Sequence, residues 1–155
     1  MKTNEKNVDV LNDLIQINND RVAGYEKAAK ETEFVDADLR SIFNSLAAES
    51  RTYANELSRY VNQAGGTPTD STTTSGKIYR AWMDVKATFT GKDRKSILES
   101  CEYGEDAAQK AYKQALESDS DNRLSTDVSH IISEQKAKLK KSHDRIKLLR
   151  DAQHA

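Results

Sequence analysis

Ile97–Leu116 reads ILESCEYGEDAAQKAYKQAL, and its spacing decides the fold. Ile97, Leu98, Cys101, Ala108, Tyr112 and Leu116 recur at three- and four-residue steps, the pattern of one buried helix face. Glu105 lies four after Cys101 and three before Ala108, inside that stripe, and Glu102 flanks it four after Leu98. A carboxylate turned into a helical core is costly without a partner, so the same helix is where a functional site is to be sought.

Working outward, the same periodicity predicts three further long helices. Leu11, Leu14, Ile15, Asn18, Val22, Tyr25 and Ala29 keep register from about Asn7, a candidate cap, to Glu33. Leu39, Ile42, Phe43, Leu46, Tyr53, Leu57 and Val61 define a second helix that begins near Asp36 and stops before Gly65-Gly66. The central helix runs from about Asp93 to Glu117, and after the polar turn SDSDN a last helix buries Leu124, Val128, Ile131, Ile132, Leu139, Ile146 and Leu149. Glu26 and Glu49 sit in the seams of the first two helices as Glu105 does in its own.

Residues 65–92 form a long connection. Its first part, GGTPTDSTTTS, holds the chain's one proline and no large apolar side chain. Ile78, Trp82, Val85 and Phe89 then predict a short amphipathic helix closed by Gly91. A helix of about 27 residues is ~40 Å long, so a connection of this size can carry the chain back along the whole bundle and leave the second and third helices parallel. The short helix packs on its own bundle or, with Trp82 as an anchor, on another chain.

Composition narrows the classes. A chain of 155 residues predicts one domain over 1–155, and six glycines with one proline suit long helices rather than a turn-rich β fold. The 24 Lys and Arg nearly cancel 25 Asp and Glu, so no overall field favours nucleic acid or an anionic membrane. The basic stretch Lys136, Lys138, Lys140, Lys141, Arg145, Lys147 and Arg150 spreads around its helix, as a solvated face does. Cys101 excludes an internal disulfide and suits a reducing compartment, and no run approaches about 18 apolar residues. A cytoplasmic protein without a membrane span is expected. GxSxG, P-loop, GxGxxG and HExxH motifs are all absent.

Six motifs carry a resemblance when taken in order: LNDLI at Leu11–Ile15, GYEKAA at Gly24–Ala29, GGTP at Gly65–Pro68, WMDVKATFTGKD at Trp82–Asp93, GEDAAQKAY at Gly104–Tyr112 and HDRIKLLRD at His143–Asp151. Together they resemble a bacterial family of ferritin-like four-helix-bundle proteins catalogued as a domain of unknown function. The resemblance implies an all-α, ferritin-like bundle and no reaction.

Dinuclear carboxylate proteins of that fold take a Glu from each of two helices and Glu-x-x-His from each of the other two. Glu26, Glu49, Glu102 or Glu105, and Glu134 can be laid on the carboxylate positions. The imidazoles are missing, for Thr52 stands three after Glu49 and Ala137 three after Glu134. His143 is the one substitute. The candidate metal set is therefore Glu26, Glu49, Glu102, Glu105 and His143, for iron or manganese. Set against it is a polar layer in which the acids pair with Lys or Arg and Gln135 bonds Glu49 or Glu105.

Two functions follow. The favoured one is a non-enzymatic cytoplasmic bundle working through self-association or a protein partner, with a stress role resting on analogy. The other is a metal-carboxylate protein with a degenerate site and oxidation chemistry.

Overall fold

The computed structural model describes residues 2–31, 37–73, 82–83, 94–117 and 124–152. The described residues form four helices, α1 (Lys2–Glu31), α2 (Ala37–Gln63), α3 (Arg94–Glu117) and α4 (Thr126–Asp151), and no strand. None is long and apolar enough to cross a membrane. The short helix expected over 78–89 lies outside the described residues, apart from Trp82 and Met83.

Contacts fix the directions. Tyr25 stacks on Phe43 and Asn18 meets Ser50, so α1 and α2 are antiparallel. Tyr112 pairs with Gln135 and Glu102 with Arg150, so α3 and α4 are antiparallel as well. Arg94 bridges to Asp38 near the starts of α3 and α2, and Glu105 and Glu49 both meet Arg21 near the middle. α2 and α3 therefore run the same way, and their connection starts at one end of the bundle and finishes at the other.

The start of that connection is held by side chains of α1. Asn12 donates to the Thr67 carbonyl and accepts from the Thr69 amide, Asn19 donates to the Ser71 carbonyl, and Asp20 accepts from the Thr73 amide. Residues 67–73 thus run along α1 in its own direction. The chain enters this strap through Gly65, whose φ of 84° suits a residue without Cβ. Gly66 follows against Val8, whose methyl carbons would lie 2.7 and 2.8 Å from an added Cβ.

Asn7, expected as a cap, lies inside α1, which begins at Lys2. It is buried and accepts a hydrogen bond from the Ser125 amide, tying α1 to the turn before α4. Ser125 itself caps α4 by accepting from Val128 N.

The apolar core falls into two clusters. One gathers Leu11, Leu14, Tyr53, Leu57, Tyr112, Val128 and Ile132, and the other Tyr25, Leu39, Phe43, Trp82, Leu98 and Ile146. Every helix contributes to both. Between them, at Asn18, Arg21, Glu49, Ser50, Glu105 and Ser142, the bundle interior is polar.

Candidate functional site

At the centre of that layer is Arg21 of α1, with no exposed side-chain surface. Its Nε donates to Glu105 Oε1 at 2.6 Å and its Nη2 to Glu105 Oε2 at 3.0 Å, a two-pronged match between planar groups. Nη1 donates to Ser50 Oγ at 2.6 Å and lies 3.4 Å from Glu49 Oε1. Glu49 also accepts from Ser142 Oγ at 2.8 Å, so all four helices reach the layer. The guanidinium carbon lies 5.3 Å from the Tyr25 ring centroid, a cation–π distance.

The network continues toward the first cluster. Ser50 donates to Asn18 Oδ1, Asn18 Nδ2 donates to the Tyr112 hydroxyl, and Tyr112 donates to Gln135 Oε1. Gln135 ends the chain by donating to the Tyr53 carbonyl and Glu56. Its expected bond to Glu49 or Glu105 is replaced by these partners, because Tyr112 and Tyr53 lie in its register.

Burial bears on the titration of Glu105, Arg21 and Cys101. Loss of solvent pushes the Glu105 carboxyl above its usual value, and the Arg21 charge and hydrogen bonds pull it back in part. The Glu105 charge keeps Arg21 protonated despite its burial. Burial likewise pushes the Cys101 thiol up, with Glu105 adding to the effect, so the thiolate a nucleophile needs is disfavoured.

The structure scatters the sequence-derived candidates. Glu105 is in the layer, and Glu49 is at its edge with 28% of its side chain exposed. Glu102 lies one turn away, paired with Arg150 at 2.8 Å through Oε2, while its buried Oε1 has no hydrogen-bond partner among the described residues. Glu26 points outward and pairs with Arg51. His143 is on the α3–α4 seam, its Nε2 2.5 Å from Asp106 and its Nδ1 3.0 Å from Asp144. Among the described residues, no group of three or more His, Cys, Asp and Glu side chains is placed to hold a metal ion.

Arg21 was absent from the sequence-derived site. Its signal is the step pattern Leu14, Asn18, Arg21, Tyr25, Ala28, which is as regular as the alternative through Val22.

Residues 6–118 match the family model described as a domain of unknown function, DUF2383. The chain belongs to this family. No curated protein matches it. A crystal structure described as ferritin-like, diiron-carboxylate proteins from Bacillus anthracis str. Ames superposes with a TM-score of 0.74 at 16% identity, covering 96% of this chain and 97% of that one. That likeness establishes a ferritin-like fold for this DUF2383 chain.

A dinuclear centre needs free carboxylate oxygens and nitrogen donors facing one space. Here both oxygens of Glu105 are taken by Arg21, one oxygen of Glu49 is shared by Arg21 and Ser142, and the His143 nitrogens face Asp106 and Asp144. As arranged, these side chains do not fit two metal ions.

Trp82, the other open question of the sequence, packs on its own chain. It is fully buried, meets Tyr25 edge to face at 5.4 Å, and lies so close to Gly104 that an added Cβ there would be 2.8 Å from the indole.

Proposed function

We propose that the protein is a non-enzymatic, cytoplasmic ferritin-like bundle, one domain over residues 1–155, that works by association with a second copy or a protein partner. The observation that carries this reading is the Arg21–Glu105 pair: the cation in the carboxylate layer is a side chain of the protein itself. In this layer both Glu105 oxygens and one Glu49 oxygen are already engaged by Arg21 and Ser142, which leaves less carboxylate for a metal or a substrate. This favours the reading over an iron or manganese centre built on Glu26, Glu49, Glu102, Glu105 and His143.

Contact with a partner would fall outside the helix seams. Tyr103 on α3 is 56% exposed and Leu148 on α4 is 70% exposed, and tyrosine is a frequent anchor at interfaces. Light scattering on the wild type and on the Tyr103→Ser, Leu148→Ser double variant tests the reading, alongside crosslinking in cell extract. A wild-type multimer that the double variant weakens, or a crosslinked protein that it loses, is expected. A monomer with no crosslinked product in either form contradicts the proposal.

A further inference from the structure

We infer that Arg21 is the resident cation of an oxygen-lined site, and that removing its side chain while keeping both acids turns that site into one for a hard divalent cation. The inference rests on the reading of the polar layer given above and goes beyond it, because it assigns a latent binding site.

The guanidinium is ringed by oxygen atoms. Its donors meet Glu105 Oε1, Glu105 Oε2, Glu49 Oε1 and Ser50 Oγ, between 2.6 and 3.4 Å. Two further oxygens stand behind these, Ser142 Oγ at 2.8 Å from Glu49 Oε1 and Asn18 Oδ1 at 2.9 Å from Ser50 Oγ. The four atoms that meet the guanidinium are all oxygen. Such a set suits magnesium, calcium or manganese, and lacks the imidazole and thiolate that favour softer ions.

The charge points the same way. With the guanidinium gone, buried Glu105 and the partly exposed Glu49 are left around one space, and their repulsion falls when a cation enters or when one of them takes up a proton. A divalent ion supplies more charge than Arg21 did, and removing the guanidinium leaves these oxygens without the donors that engage them. In the wild type the guanidinium is tethered by its own backbone, so a metal would have to displace a group that cannot diffuse away. Exclusion of metal and the potential to bind it are thus two states of one set of side chains.

The test uses Arg21→Ala, Arg21→Lys and the double variant Arg21→Ala, Glu105→Gln in the full chain, with MnCl2 as the probe. Bound manganese is counted by electron paramagnetic resonance and the melting temperature is followed by circular dichroism. In Arg21→Ala, saturating manganese is expected to raise the melting temperature by roughly 5 °C, with about one ion bound per chain. Wild type, Arg21→Lys and the double variant are expected to show neither effect. Should Arg21→Ala not fold unaided, it is refolded with and without manganese, and helix recovered only with the ion supports the site.

Folded Arg21→Ala that binds no manganese, or a chain that refolds with neither treatment, overturns the inference. So does binding that survives Glu105→Gln. A metal retained by the purified wild type would instead overturn the parent reading, so the two failures are distinguishable.

Discussion

Arg21 and Glu105 meet through two hydrogen bonds of 2.6 and 3.0 Å, with 0% and 1% of their side chains exposed. Pairing of this quality offsets the loss of solvent around two charges, and breaking it leaves the other charge stranded. Arg21→Ala and Glu105→Gln are each expected to cost about 3–5 kcal/mol of stability. Replacing both at once with apolar groups, Arg21→Met with Glu105→Leu, is expected to restore most of that loss. Urea denaturation of the three variants checks it, and single variants within about 1 kcal/mol of wild type would show that the pair is not energetically coupled to the fold.

His143 carries the expected pH dependence. Burial alone would depress its pKa, but the hydrogen bonds to Asp144 and Asp106 outweigh this and raise it above the ordinary 6.5. Both ring nitrogens face carboxylates, so the full clasp, donating to Asp106 across the α3–α4 seam and to Asp144 on α4 at the same time, takes the imidazolium, and a neutral ring keeps one of the two bonds at most. Its surroundings include Lys140, bonded to Asp144, and the Glu105 carboxyl, which senses the His143 charge. Because the folded-state pKa is raised, the stability from this clasp is complete below about pH 6.5 and is lost as pH rises through the higher folded value. Melting temperature measured across that range is expected to fall in the wild type by more than in His143→Gln. Equal slopes in the two proteins would remove the clasp from the account.

Gly104 and Trp82 give a packing prediction. An added Cβ at Gly104 would stand 2.8 Å from the indole, and the indole is fixed between Tyr25 and α3. Gly104→Ala is expected to cost about 1–3 kcal/mol by overpacking, despite the better helix propensity of alanine. In a Trp82→Ala background that cost is expected to vanish, which a double-mutant cycle on chemical denaturation measures. A cost unchanged by Trp82→Ala would place its cause in the backbone.

Much of the fold was legible because a burial stripe is written in residue type. Leu39, Phe43, Leu46, Tyr53, Leu57 and Val61 are all buried in α2, as three- and four-residue spacing of large apolar residues predicts. The site was less legible, because one residue along a helix turns a side chain by about 100°. Glu26 follows buried Tyr25 and so faces solvent, and His143 follows buried Ser142 and so sits on the seam. Arg21 was hidden for another reason: arginine is rarely withdrawn from water without partners, and its partners are 29 and 84 residues away in sequence. No local pattern joins them.

Tyr112 tests how far the polar layer extends. Its hydroxyl accepts from Asn18 and donates to Gln135, so Tyr112→Phe leaves both of these buried amides short of a partner. A loss of about 1–3 kcal/mol is expected, read by urea denaturation at neutral pH. A neutral substitution would mean that the layer ends at Asn18.

The central claim is that this bundle's internal cation is Arg21. Elemental analysis of untagged wild-type protein, purified without chelator, addresses it most directly. The account predicts iron and manganese far below one ion per chain, unchanged in Glu49→Ala. Near-stoichiometric iron or manganese, lost on Glu49→Ala, would contradict it.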